Sequence, residues 1–243
     1  SEIDAWVSPE GLAIHPETGN LYITDSGPSQ CIWIYSPEGT QVGRFGELSG
    51  VYSGRPGEIK PKKFNHPIDV EFDPEGNLYV LGDAKDMNFW SGTELRKFGP
   101  DGELIWERFG KEYTSLVDFD PAGDGEKLWG PDQHYVIDYD APVGEHWRYA
   151  AYTANRFKYP NDPRRIYGIN NGSQARRIEG RLFTYVEGMG GDGAMAVYRY
   201  EPDSDIAIPA GMFLDQPGSW GYWYDRNGDG ERQPAEELAF PFH

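Results

Sequence analysis

The chain has 243 residues, with 40 Asp and Glu against 22 Lys and Arg, giving a formal net charge of −18. That balance excludes a nucleic-acid partner, which is gripped by clustered Lys and Arg. No run reaches the ~20 apolar residues of a membrane-spanning helix, and Cys31 stands alone, so a disulfide framework is excluded as well. Gly 31, Pro 19 and an aromatic share of 15% suit a turn-rich, all-β chain.

Residues 9–46 read as one unit of four strands. The first ends at Ile14, the second is Leu21–Thr24, the third Cys31–Tyr35 and the fourth Gln41–Phe45, entered through the turn Ser36-Pro37-Glu38-Gly39. Residues 47–64 carry Gly, Pro and Lys without a period and predict a long loop on one rim. Residues 67–110 repeat the order of the first unit. Val70 and Phe72 alternate with Asp69, Glu71 and Asp73, as a half-buried strand requires. The turn Asp73-Pro74-Glu75-Gly76-Asn77 follows, because Pro pre-sets φ and Gly and Asn tolerate positive φ. Leu78-Tyr79-Val80, Glu94–Phe98 and Glu103–Phe109 are the remaining strands, and 84–93 is an insertion within the unit.

The same turn text recurs along the chain. His15-Pro16-Glu17-Thr18-Gly19-Asn20 is a copy with one extra residue, and Asp118-Phe119-Asp120-Pro121 followed by Gly125 and Leu128-Trp129 is a looser one. Ile178-Glu179-Gly180-Arg181 is a fourth, and Tyr222–Asp225 followed by Asn227-Gly228 reads as a fifth. The turn glycines 19, 76, 125, 180 and 228 lie roughly 50 residues apart, the spacing of propeller blades. Tyr22, Tyr79, Trp129 and Phe183 hold equivalent places in their strands and are expected to pack between blades. Residues 113–157 add the strand Tyr135–Tyr139 and the aromatic-basic stretch Trp147–Phe157, 158–178 are turn-rich, and 181–200 return to the blade pattern.

Pro67–Val80 with Leu95–Gly110 resembles the NHL-repeat class of β-propellers and its gluconolactonase-like and amidating-lyase-like relatives. The resemblance covers 9–110 and implies a fold rather than a function. The expectation is one β-propeller domain over 1–243, built of about four to five four-stranded antiparallel blades. With 18 residues after Asp225, the last unit is expected to be incomplete, so another segment or chain would close the ring and cover its free sheet edges.

Asp225-Arg226-Asn227-Gly228-Asp229-Gly230-Glu231-Arg232-Gln233-Pro234-Ala235-Glu236 fits the calcium-loop pattern D-x-[DN]-x-[DN]-G-x5-E. Asp225, Asn227 and Asp229 supply hard oxygens, Gly230 permits the bend, Glu231 offers its carbonyl and Glu236 a bidentate carboxylate. Over these residues the chain resembles the loops of EF-hands and dockerins, which implies Ca²⁺ as the cofactor, held at about 2.3–2.6 Å. It departs from them at Arg232 and Pro234, which disfavour loop pairing, and in the strand-like Gly221–Tyr224 before it. The plain alternative is an Asn-Gly/Asp-Gly hairpin turn. Trp220, Trp223 and Tyr224 beside it read as blade packing.

Other candidates carry less. His15 and His66 sit at strand ends, where amidating-lyase-like propellers hold zinc. Asp69, Glu71 and Asp118 are candidates to line a channel, where gluconolactonase-like propellers hold a metal. Arg148, Arg156 and Lys158 beside the aromatics of 147–157 suit sugar stacking or an outer strand, and Gly188–Gly193 reads as a β turn rather than a phosphate loop, lacking the following Lys-Ser/Thr. Two functions remain. The first is a non-catalytic, calcium-binding propeller, extracellular or periplasmic, that binds protein or carbohydrate. The second is a metal-dependent lactonase or lyase with a site at the central channel.

Overall fold

The computed structural model describes residues 8–83, 93–110, 116–169, 171–188, 195–216 and 219–241. They fall into two compact units, one ending near residue 110 and one starting at 116. The first holds β1 (Pro9–Ile14), β2 (Leu21–Asp25), β3 (Cys31–Tyr35), β4 (Gln41–Phe45), β5 (Pro67–Phe72), β6 (Leu78–Asp83), β7 (Thr93–Phe98) and β8 (Leu104–Phe109). They form two four-stranded antiparallel sheets in sequence order, β1-β2-β3-β4 and β5-β6-β7-β8. This is the blade pattern expected from the sequence.

The turns owe their shape to local chemistry. The Asp73 carbonyl accepts from Gly76 N at 2.9 Å and Asp73 N donates to the Asn77 carbonyl at 3.0 Å, with Gly76 at φ +80°. The Asp73 carboxylate takes further hydrogen bonds from Asn77, Tyr79 and Lys97. Partial burial pushes this carboxyl up, but those donors outweigh it and hold the group well below the usual carboxylate range. At the fourth copy, Glu179 and Gly180 both adopt positive φ (50° and 79°), the two-residue hairpin turn.

Inside the first unit β1 runs beside β5, first strand against first strand, as blades meet around a propeller axis. Gly11 makes the approach possible: a Cβ there would stand 2.6 Å from Asp69 Cα and 2.7 Å from the Ile68 carbonyl oxygen. Ala13, Ile32, Val70, Leu78, Val80 and Phe98 fill the core, with Tyr22 edge-on to Phe72 across the two sheets at 4.8 Å. Tyr79 instead packs within its own sheet, against Trp106 at 6.1 Å and under Lys97 at 4.9 Å.

The 47–64 segment is irregular, as expected, but it is pinned at its end. Phe64 is fully buried against Phe45 and Phe98. The Lys63 ammonium donates to the carbonyls of Ser53 and Arg55. Arg96, wholly buried, donates to the carbonyls of Pro61 and Lys63 and pairs with Glu94 at 3.0 Å. Sequence pattern missed these anchors because Phe64 belongs to no periodic run.

The second unit holds β9 (Asp118–Phe119), β10 (Lys127–Trp129), β11 (Gln133–Ile137), β12 (Trp147–Tyr152), α1 (Pro163–Tyr167), β13 (Gly172–Ile178), β14 (Arg181–Glu187), β15 (Met195–Arg199), β16 (Ile208–Gln216), β17 (Ser219–Tyr224) and β18 (Glu237–Pro241). β9–β12 form a four-stranded sheet, and β13–β18 form one of six strands. Here lies a difference from the expected pattern. The fifth copy of the turn text does not open a new sheet. β17 pairs with β16 and β18 with β17, so this hairpin extends the fourth sheet outward. The 147–157 stretch supplies the outer strand β12, its Trp147 half exposed.

β13 lies beside β9, and a parallel bridge links Leu116 with Gly172. Ion pairs close the contact: Arg177 to Asp120 at 2.6 Å and Arg176 to Asp118 at 2.9 Å. Trp129 stacks on His134 at 4.2 Å and meets Tyr200 at 4.5 Å, joining the two sheets as expected of that position. At α1, the Asp162 side chain caps the helix by accepting from Arg164 N, with Pro163 as first helical residue. The Arg164 guanidinium pairs with Asp162 at 2.7 Å, donates to the Pro131 carbonyl and lies over the Tyr198 ring at 4.3 Å.

Two outcomes follow. Gly11→Ala is expected to destabilise the chain by about 1–3 kcal/mol in urea unfolding, because backbone stands where the methyl must go. Leu12→Ala, at the exposed next position, is expected to change it by less than about 0.5 kcal/mol. The hydrogen bonds from Arg177 hold the Asp120 carboxyl below its usual value against the effect of burial. A lowered folded-state pKa stabilises above the unfolded value and is lost as pH falls. Asp120→Asn is therefore expected to be less stable than wild type at neutral pH, with the gap shrinking below about pH 4 in acid unfolding.

Candidate metal-binding loop

The 225–236 loop connects β17 to β18 and ends in a 3-10 turn, Pro234–Glu236. Gly228 and Gly230 bend it at φ +81° and +77°. Strand alternation on β17 sends Trp223 into the core, fully buried, and leaves Tyr224 about half exposed, so Tyr224 is not blade packing as expected. The side chain of Trp220 lies outside the described residues.

The loop is wound around two buried carboxylates. Asp225 and Glu236 are each 5% exposed. Asp225 Oδ1 accepts from Gly228 N at 2.9 Å, and its Oδ2 from Gly230 N at 3.1 Å. Glu236 Oε1 accepts from Arg226 N at 3.0 Å and Asn227 N at 3.3 Å, and Oε2 from Trp223 Nε1 at 3.0 Å. The last acid of the motif thus ties the loop shut across nine and ten residues of sequence, and the first across three and five.

The other three predicted ligands are exposed or half-exposed and are engaged in smaller local turns. Asn227 Oδ1 accepts from Asp229 N, and Asp229 Oδ1 from Glu231 N at 2.7 Å. Asp229 Oδ2 takes Asn227 Nδ2 and Gln233 Nε2. The Glu231 carboxylate accepts from Asn161 Nδ2 at 3.0 Å. Among the described residues, no three His, Cys, Asp or Glu side chains converge as a metal centre. The donor set suits calcium in kind, since every predicted ligand offers a hard oxygen and none nitrogen or sulfur.

The loop also docks on the segment before α1 and on α1 itself. The Tyr159 ring lies against Gly230, where a Cβ would come within 2.7 Å of Cε1. Arg232 donates to the Tyr167 hydroxyl at 2.7 Å and to Glu237 at 2.8 Å. One further residue, missed by the sequence, completes the loop. Arg199 at the end of β15 pairs with Asp225 Oδ2 at 2.6 Å and donates to the Gly228 carbonyl at 2.8 Å. No spacing rule links positions 26 residues apart, so only pairing of the strands could reveal it.

The remaining candidates are placed as follows. His66 Nδ1 lies 2.6 Å from the Asp83 carbonyl, and His15 packs against Phe72 at 4.8 Å. Asp69 Oδ1 accepts from Val70 N, and Asp118 Oδ2 from Ala175 N and Arg176. Residues 189–193 of the glycine-rich turn lie outside the described residues.

No protein-family model and no curated protein matches the chain. Solved structures give resemblances at low identity and low TM-score. A chain of a nidogen/laminin complex is 13% identical, with 99% of this chain and 66% of that one covered at a TM-score of 0.31. A protein assigned as a gluconolactonase is 14% identical, with coverages of 87% and 86% and a TM-score of 0.24. Hydrazine synthase of Kuenenia stuttgartiensis is 13% identical, with 79% and 65% covered and a TM-score of 0.24. This chain therefore spans just under two thirds of the first and third of these.

Glu236→Gln is expected to cost about 1–3 kcal/mol in urea unfolding with chelator present, because an amide NH₂ would face N–H groups that now share a carboxylate. Glu237→Gln, whose carboxylate meets Arg232 near the surface, is expected to cost under about 1 kcal/mol.

Proposed function

We propose that this chain is a non-catalytic, calcium-binding propeller module that acts outside the cytoplasm, extracellular or periplasmic, and binds a protein or carbohydrate ligand. The observation that carries the reading is the burial of Asp225 and Glu236 inside their own loop. A plain Asn-Gly/Asp-Gly turn leaves its acids in water, whereas these two are drawn into the loop, where backbone N–H groups, the Trp223 indole and Arg199 hold them. An ion would be held by the side chains of Asp225, Asn227, Asp229 and Glu236 with the Glu231 carbonyl. It would neutralise charge and supply no reaction chemistry. A single unpaired loop suits the 10⁻⁴–10⁻³ M affinities of extracellular modules, roughly the calcium level they meet. The acidic balance of −18 agrees with a cation-binding role.

A half-buried and an exposed aromatic support the ligand half of the reading. Tyr222 and Tyr224 project from one face of β17 with rings 14° from parallel and 6.5 Å apart. Such platforms stack on the apolar faces of sugars or receive protein side chains. The alternative enzyme draws no support from Asp69 or Asp118, whose carboxylates are engaged by Val70 N and by Ala175 N and Arg176 respectively.

Calcium titrated calorimetrically into chelator-treated protein is expected to give heat in wild type and none in Asp225→Ala, with calcium raising the melting temperature of wild type alone. Wild type that shows neither effect would leave the loop a turn and end the calcium reading.

A further inference from the structure

Strand alternation gives the six-stranded sheet two faces. Ala175, Leu182, Val186, Ala196 and Met212 enter the core. Gln174, Tyr185, Met195 and Phe213 point the other way, exposed or half-exposed. On that outer face, within the second unit, lies a cavity of about 380 Å³. Ligand sites span roughly 300–1,000 Å³. Its apolar wall is Leu116, Met195 and the Tyr185 ring, and its polar side is Gln174, Arg176 and Glu187. Gly172 lets the two sides converge: a Cβ there would stand 2.8 Å from Leu116 Cβ and 2.9 Å from Glu187 Oε1. Arg176 is already engaged, Nη1 donating to Asp118 Oδ2 at 2.9 Å and Nη2 to Gln174 Oε1 at 3.1 Å. The second of these bonds fixes the Gln174 amide with its NH₂ as the open end. Among the described residues, that NH₂, the Tyr185 hydroxyl and the Glu187 carboxylate have no hydrogen-bond partner.

These groups select a ligand by its chemistry. An anion is opposed by Glu187 and by the chain's net charge of −18, a cation by Arg176. A wholly apolar ligand would desolvate Gln174 and Glu187 without return. A peptide strand finds no open edge on β13, since Ser173 N donates to the Leu116 carbonyl and Ala175 N to Asp118 Oδ2. A sugar ring fits: its hydroxyls donate and accept, and its C–H face lies on a ring. The aromatic surface also continues away from the cavity. Tyr185 pairs across strands with Val197, and Val197 with Gly211. The Tyr222 ring lies over Gly211, where a Cβ would come within 3.1 Å of its hydroxyl. Phe213 is 4.8 Å from that ring and Tyr224 6.5 Å. We infer that the cavity is a subsite for the terminal ring of a neutral oligosaccharide, whose following rings lie along Tyr222 and Tyr224. The inference rests on the ligand half of the reading above, names the ligand's class and adds a site that needs no metal.

The test is calorimetric titration of the full chain, calcium present throughout, with neutral gluco-, xylo- and manno-configured disaccharides and hexaoses. Galacturonate and glucosamine hexaoses serve as the anionic and cationic probes. Wild type is expected to bind a neutral hexaose more tightly than its disaccharide and more tightly than either charged probe. Glu187→Gln is expected to weaken both lengths by about tenfold or more, the loss of a hydrogen bond to a charged group. Tyr185→Phe, which keeps the ring, is expected to weaken both by about threefold to tenfold. Tyr224→Ala is expected to weaken the hexaose by about threefold or more and leave the disaccharide unchanged. Glu201→Gln removes an equal charge at an exposed turn and is expected to change affinity less than about twofold. None of these side chains enters the core, so every variant is expected to melt with wild type. Loss of binding in Tyr224→Ala alone overturns the subsite while leaving the tyrosine platform standing. Tighter binding of a charged probe overturns the neutral class. No binding of any sugar overturns the inference and leaves the platform to a protein ligand; the calcium reading is judged by its own titration.

Discussion

The guanidinium of Arg164, with no exposed surface, lies between the Asp162 carboxylate and the Tyr198 ring, whose hydroxyl donates to the same carboxylate at 2.8 Å. This is the constraint under which the whole chain folds. With 40 acidic and 22 basic side chains, each carboxylate taken out of water needs a donor, and cations are scarce. The chain spends them where sheets and loops join. In the first unit Arg96 ties Glu94 to the 61–63 carbonyls, and Lys97 ties the Asp73 turn to β7. In the second, Arg177 joins β13 to the turn after β9, and Arg199 joins β15 to the loop after β17. Burial pushes the Tyr200 hydroxyl up to about 12 in this same neighbourhood, so it stays a neutral hydrogen-bonding group.

The 225–236 loop shows the same economy on a smaller scale. Through Tyr159, Asn161 and Tyr167 it fastens the segment around α1 to the six-stranded sheet. Its own closure depends on Asp225 and Glu236, which bind backbone amides much as a helix cap does.

The sheets themselves follow from a short vocabulary. Period-two alternation sets which side chains enter the core, and left-handed glycines at 19, 76, 125 and 180 turn one strand back on the last. Antiparallel neighbours in chain order then need no crossover, so each sheet is a simple meander. The extra hairpin β17–β18 obeys the same vocabulary. The local pattern of β17 matches that of a strand starting a new sheet, and only its hydrogen bonds to β16 decide otherwise.

What the sequence by itself determined was local. Asp-Pro-Glu-Gly-Asn at 73–77 demanded a turn, Cys31–Tyr35 and Leu78–Val80 demanded strands, and the glycines at 228 and 230 demanded bends between Asp225 and Glu236, because φ preferences and side-chain alternation act over a few residues. What the tertiary structure decided was long-range: Phe64 entering a core from an aperiodic segment, Gly11 admitting Asp69, Arg164 buried over Tyr198, and Arg199 seated on Asp225. These contacts join residues that no turn or period relates. They exist because a buried ring needs a cavity and a buried charge needs a counter-charge, and which residue meets either need is settled only when the strands take their places.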